Sequence, residues 1–583
     1  MDSKNTLEKT VRHLAETRKQ IATLPAEKAI DRILSAPEPA ALVHSFPEQD
    51  LHLLIHDIGI VDALPILKLA SNRQWEYFFD VETWDRDRVD LDAVTRWANL
   101  FLTADPFRMA HWAGHEKVEF FEYYLYKNIR VVVREHDMDP GEIGDDFFTL
   151  DGVFYIHILD DPSGLPGKMD ESRQSLDQDR RRFLTRFLKR LADEDPVRFH
   201  QILLEAMHVI PAETEEADYR WRNIRLAEKG FLPFDDAIGV YQPLTVDEIK
   251  AQSPRREYRP PVDSKVPVAR FSVRLGNDQN PVMRALEVMD IDTHRSRIET
   301  ELVGLANRLI VADQKQIRNR VDLKYAVEKV CGYINIGLTG LAAEDGDPSP
   351  DPLTSAAIMG RYSLPRLFRF GYGYALRLKW RADRWIRKSW FQQQGLALTF
   401  WGETWMGVLG GLLIKKPRYF DETRADQRYR EFTTMADITQ TDTVLGRIIA
   451  MDELLNRMKF DLQRADDIFL TYKNLILTCW ARDDLELSTE VKPIERSLFR
   501  SFYADCLFAQ QKLKSVNLPA EIRLSAKQSF LDWLTRNSGF SEVDIMTRTG
   551  PTLEELFAEI ERELGSVAPE NIDPRFVSLF LLK

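Results

Sequence analysis

The chain is poor in cysteine: Cys331, Cys479 and Cys506 are its only ones, far apart and odd in number. That excludes a disulfide framework and any paired-cysteine zinc or redox motif, and it fits a reducing compartment, so the cytoplasm is the expected location. A secretory signal is not expected either, because MDSKNTLEKTVRHLAETRKQ is charged and helix-like and lacks an apolar core before a small-residue cleavage site. No GxxxxGK[ST], GxGxxG or GxSxG occurs, and FGYGYAL at Phe370–Leu376 supplies only two glycines of the longer fingerprint. Acid pairs exist at Asp160-Asp161, Asp235-Asp236 and Asp466-Asp467, but adjacent side chains on a helix point apart and make poor general acid–base partners. No catalytic residue and no cofactor is assigned, and the reading leans away from an enzyme. Excess positive charge is lacking too: 79 Lys and Arg stand against 92 Asp and Glu, a net charge of −13. A protein that binds nucleic acid over its whole surface needs the opposite balance, which leaves only a local basic patch.

What is present is ordinary globular composition, 44% hydrophobic and 29% charged, over 583 residues. Single cores stop growing near ~250–300 residues, so several domains are expected. From Leu24 to Asp105 the apolar residues recur at three- and four-residue spacing in short runs: LPAEKAIDRILS, PEPAALVHSF, PEQDLHLLIHDIG, IVDALPILKLAS, NRQWEYFFDVETW and LDAVTRWANLFLTA. Pro25, Pro37 and Pro47 fall near the starts of units, where a missing N–H costs little. The pattern predicts a solenoid-like train of short helices with an extended surface for a protein partner.

Two of these stretches, PAALVHSFPEQDLHLLIHDIG and ALPILKLASNRQWEYFFDVETW, resemble the superhelical cytoplasmic N-domain of MgtE-type magnesium transporters and the related helical modules of the flagellar switch. LAEKGFLPFDDAIGVYQPL and LALTFWGETWMGVLGGLLIKKP are similar to segments of a bacterial family without assigned function, which implies a self-contained protein and supplies no activity.

Beyond a helical stretch near Glu119–Glu135, DDFFTLDGVFYIHILDD breaks the helical period. Aromatic and β-branched residues flank Asp151-Gly152, a favoured tight-turn pair, and predict one small β-hairpin near 147–159 as the only sheet. DPSGLPGKMDES reads as a loop, and proline density marks linkers at Ser253–Ala269 and Ala342–Pro352. Thr245 with Glu248, and Thr552 with Glu555, have capping-box spacing. The expected divisions are a solenoid-like domain over 1–135, a hairpin and loop insertion over 136–175, and a second helical module over 176–262. A central helical region over 263–341, a linker over 342–352 and a helical C-terminal domain over 353–583 follow. The fold class is mainly α and multidomain.

LALTFWGETWMGVLGGLLI, from Leu396 to Ile414, is nearly long enough to span a bilayer, and Gly407 and Gly411 form a GxxxG pair. Glu403 near its middle and the deep Trp401 and Trp405 oppose a span, so a buried helix interrupted at Gly410-Gly411 is expected. A carboxylate there needs a partner, protonation or exposure, and the basic stretch upstream is the expected source of a partner. In LRLKWRADRWIRKSW, rotation of ~100° per residue puts Arg377, Arg381, Arg384 and Lys388 on one stripe, with Leu378, Ala382 and Ile386 turned away. Nine Lys or Arg and one acid, Asp383, lie between Arg361 and Lys388. With Trp380, Trp385 and Trp390 nearby, residues 361–390 are a candidate site for an anion: a nucleotide, nucleic acid or lipid headgroup. The alternative is pairing with acids of the same chain.

His52 and His56, and likewise His111 and His115, have the i, i+4 spacing that sets two imidazoles on one helix face. No third ligand is identifiable for either pair, and no metal is assigned. The terminal DPRFVSLFLLK either docks a partner or packs at home.

Overall fold

A computed structural model describes residues 13–583 apart from 19, 22–23, 136–137, 139–142, 161–170, 230, 233, 252–279, 290–291, 316, 318–319, 425–427, 461, 463–468, 489 and 509–519. The Ser253–Ala269 linker, most of DPSGLPGKMDES and residues 1–12 of the stretch read as helix-like lie outside the described residues. The protein is mainly α-helical, with a few short antiparallel strand pairs. It forms two compact units, one of residues 1–242, 252–331 and 350–367 and the other of residues 243–251, 332–349 and 368–583.

The first unit opens with the short helices Ala26–Leu34, Pro39–His44, Glu48–Ile58, Leu64–Leu69 and Asn72–Glu82, followed by Leu91–Ala104, Pro106–His111 and Val118–Asn128. Their starts have local chemical causes. Pro25 and Pro47 occupy N-cap positions and Pro39 the first turn, while Pro37 lies in the bend before it. Ser71 and Gln74 form a reciprocal capping box, and Asp90 and Asp105 cap the next two helices through their carboxylates. Alternate helices touch: Ala26–Leu34 packs on Glu48–Ile58, which packs on Asn72–Glu82, while Pro39–His44 packs on Leu64–Leu69. Their apolar faces meet an aromatic core in which Trp75 stacks on Phe101 at 4.4 Å between centroids and Phe79 and Trp112 meet edge to face. The Trp75 indole N–H donates to Leu67 O at 2.8 Å, so its one polar atom is not stranded.

The helix expected near Glu119–Glu135 stops at Asn128, because IRVVV is a β-branched run and enters a strand, Ile129–Val133. It pairs antiparallel with Phe154–Ile158, whose other edge takes Phe148–Thr149. The expected hairpin is therefore present, with Gly152 at φ +75° and Asp151 accepting from the N–H groups of Val153 and Phe154. It is not the only sheet. Trp84–Asp85 pairs with Arg88–Val89, and Tyr419–Phe420 with Tyr429–Arg430, in ladders too short to show an alternating pattern in sequence.

In the second unit the apolar stretch divides at Gly402, φ +75°, and not at Gly410-Gly411. A 3-10 turn at Leu398–Trp401 precedes a helix at Gly402–Leu413. No helix of the described residues is long and apolar enough to cross a membrane. The GxxxG glycines serve a different contact: a Cβ at Gly407 would lie 2.5 Å from the Phe420 ring, and one at Gly411 2.4 Å from Arg418 O. They let the Tyr419–Phe420 strand lie against the helix. The Thr245–Glu248 capping box is formed. The one expected at Thr552 is not, because Ser541 caps a helix that runs from Glu542 through Pro551 to Leu564. The C-terminus packs at home, with Phe580 against Phe499 and Leu581 N–H donating to Thr478 Oγ1 at 2.9 Å.

Candidate functional site

Two places in the molecule concentrate chemistry. In the first unit, His52 and His56 lie one turn apart on the inner face of the Glu48–Ile58 helix, their side chains 4% and 7% exposed. The last residue of the Asn72–Glu82 helix meets them there: Glu82 Oε1 is 2.8 Å from His52 Nε2 and 2.8 Å from His56 Nε2, and the two nitrogens are 3.2 Å apart. Trp97 supports the group from the following helix, its indole N–H donating to Glu82 Oε2 at 3.3 Å. Tyr77, Phe78 and Trp97 ring His52 at 5.7–6.4 Å between centroids. Burial lowers the His52 pKa against the raising influence of Glu82. Burial also pushes Glu82 up, but hydrogen bonds to both imidazoles outweigh it and hold the carboxyl well below the usual range. Among the described residues this is the one place where three His, Cys or carboxylate ligand atoms lie within 4.8 Å of one another. Sequence reasoning finds the histidine pair and misses Glu82, whose separation of 26 and 30 residues follows no periodicity.

His111 and His115 do not form a comparable group. Their rings stack at 4.4 Å, His115 Nδ1 is 3.2 Å from His111 O, and Asp195 Oδ2 stands 3.8 Å from His115 Nε2 on an exposed surface.

The second place is the far part of the Leu364–Ile386 helix, in the second unit. The sequence-derived face holds in part: Leu378 and Ala382 are buried and Arg377 and Arg384 exposed, but Arg381 and Ile386 are both half-buried, and the exposed Lys388 lies beyond the end of the helix. The stripe divides in its pairing. Arg381 forms an ion pair with Asp442 on the Met435–Met458 helix, and the Arg377 guanidinium lies 4.0 Å over the Tyr374 ring. Arg384 Nε donates to Trp380 O at 3.3 Å, and neither Arg384, Arg387 nor Lys388 has a carboxylate partner among the described residues. Of the tryptophans, Trp380 is 46% exposed, whereas Trp390 is buried and Trp385 turns inward to donate to Asp452 Oδ2 at 3.0 Å. The expected link of this stripe to Glu403 does not exist. Glu403 stands at the start of the Gly402–Leu413 helix, its side chain 69% exposed, and pairs with Arg428. The apolar run around it is broken at Gly402, which turns the carboxylate to solvent.

Asp452 is a functional-looking carboxylate that sequence reasoning missed. Although buried, it accepts from Trp385 Nε1 and from the backbone N–H groups of Trp390 and Phe391, and so fixes the chain where the basic helix ends. Its role is to satisfy orphan donors, not to react.

Residues 6–583 match the model of a Family of unknown function (DUF6178), and the chain belongs to that family. No curated protein and no solved structure matches it, so no match carries the resemblance of the N-terminal helices to the MgtE-type domain.

Proposed function

From these sites, and within a family of unknown function, we propose that the chain is a non-catalytic interaction or regulatory protein of the cytoplasm. On this reading it engages a phosphate-bearing partner through the cationic end of the Leu364–Ile386 helix. One observation carries it: Arg384, Arg387 and Lys388 are exposed and have no carboxylate partner among the described residues, in a chain of net charge −13. The helix dipole accounts for part of their placement, but its roughly −0.5 charge leaves most of three positive charges uncompensated. Trp380, one turn before Arg384, adds a flat exposed ring on which a nucleobase can stack, which favours nucleic acid or a nucleotide over a bare anion. Its test is a thermal melt with and without a single-stranded oligonucleotide. Wild type should melt higher with the oligonucleotide, and Arg384→Glu/Arg387→Glu should melt like unliganded wild type in either condition. An unchanged wild-type melt would count against the proposal.

A protein partner is favoured by a separate observation in the first unit. Met207, Ile210, Trp221 and Ile224, at the end of the Pro196–Ala206 helix and along Pro211–Ala227, are 39–59% exposed, more large apolar surface than a solvated helix needs. The run of short N-terminal helices, read as solenoid-like, would add extended surface for the same partner. A protein retained from host extract by wild type and lost with Trp221→Asp would support this reading, and equal retention would count against it.

A further inference from the structure

The geometry points to His52, His56 and Glu82 as a binding site for one divalent transition-metal ion. The first argument is spacing. Metal–nitrogen and metal–oxygen bonds of about 2.0–2.2 Å separate neighbouring donors by about 2.9 Å at right angles and about 3.4 Å at the tetrahedral angle. The three donor atoms here stand 2.8, 2.8 and 3.2 Å apart, so they already outline one triangular face of a coordination shell. An ion above that face would be held by both imidazoles of the Glu48–Ile58 helix and by the carboxylate that ends the Asn72–Glu82 helix.

The second argument is a count of protons. Each of the three contacts requires one hydrogen between its atoms, while each Nε2 carries at most one hydrogen or one in-plane lone pair. If both imidazoles donate to Glu82, the 3.2 Å contact sets two donors against each other. If one imidazole instead accepts from the other, its contact with the carboxylate sets acceptor against acceptor. No arrangement of protons satisfies more than two of the three. A cation satisfies all three lone pairs together, and two neutral imidazoles with one carboxylate then carry a single negative charge against its two positive ones.

The donor set also selects the ion. Two imidazoles and a carboxylate suit zinc or ferrous iron, whereas magnesium and calcium prefer oxygen ligands throughout. Glu82, with 18% of its side chain exposed, forms the open side, and the enclosed histidines form the floor. Three protein donors leave further coordination positions to water. Trp97 acts as a positioning residue, since its indole holds Oε2 and thereby aims Oε1 at the imidazoles.

The test uses the full chain, stripped of metal by chelator dialysis and titrated with zinc against a chromophoric chelator. Wild type and a His111→Ala/His115→Ala control should each take up one tight equivalent. His56→Ala and Glu82→Gln should lose it, and Trp97→Phe should bind about 10–100-fold more weakly. Failure of wild type to bind, or binding that persists in both His56→Ala and Glu82→Gln, would overturn the assignment. Because these substitutions touch a core, wild type is also examined alone by X-ray absorption at the zinc edge. Two imidazoles in the first shell are expected, and a shell without imidazole would overturn the site however the variants fold.

Discussion

Glu122 shows what burial does to a single carboxyl in this fold. It lies on the Val118–Asn128 helix, and burial, reinforced by the charge of Glu205 and only partly offset by Arg198, pushes its pKa up to about 7 from an ordinary 4.5. The folded state then holds the proton more tightly than the unfolded chain, so stability from this group is full below pH ~4.5 and is lost as pH rises toward ~7. Glu122→Gln should remove that loss: between pH 5 and 8 the difference between variant and wild-type melting temperatures should grow with pH, and a constant difference would contradict the account. Asp452 predicts a loss of the other kind. Asp452→Ala leaves the Trp385, Trp390 and Phe391 N–H groups without their acceptor, and unsatisfied buried donors cost about 1–3 kcal/mol each. A urea midpoint well below wild type is expected. Arg381→Ala removes only its half-exposed pair with Asp442 and should cost no more than about 1 kcal/mol in the same assay.

At the scale of elements, close backbone approach decides which glycines matter. A Cβ on Gly371, in the Leu364–Ile386 helix, would lie 1.9 Å from Tyr333 O and 2.8 Å from Gly337 N. Backbone cannot swing aside as a side chain can, so Gly371→Ala should cost about 3 kcal/mol, the upper end of overpacking. Gly304, inside the Asp292–Ala312 helix, has nothing within 4 Å of a built Cβ, and Gly304→Ala should stabilise by about 0.5–1 kcal/mol. Urea titration of the two variants should therefore give opposite signs. The sequence shows FGYGYAL as a failed phosphate fingerprint, and its real constraint, contact with a helix some 35 residues earlier, has no local signature. What is legible in sequence at this scale is what local chemistry decides. Prolines mark starts of the N-terminal helices, Asp151-Gly152 marks the hairpin, and Thr245 with Glu248 marks a helix start. Ile129–Val133 is read as helix because five residues are too few to override the period before them. The break at Gly402 is missed because the apolar run continues across it.

For the whole molecule, the candidate sites were half legible for one physical reason: a helix face is written in the sequence and the partner of that face is not. The i, i+4 histidines and the cationic stripe follow from helical geometry alone. Glu82, which completes the histidine group, and Asp442, which takes Arg381 out of the exposed set, arrive from other helices through tertiary packing. Once that packing is known, an acidic chain retains a small cationic face at Arg384, Arg387 and Lys388, and the account rests on its meeting phosphate. Each phosphate contact to a single strand lowers the slope of log K against log salt by about 0.7, so three contacts predict a slope near about −2. The most direct measurement is the affinity of the full chain for a labelled single-stranded oligonucleotide across a range of salt concentrations. A slope near that value in wild type, flattened and weakened in Arg384→Glu/Arg387→Glu, is the predicted result. Affinity that is absent, or that neither salt nor the substitutions change, would contradict it.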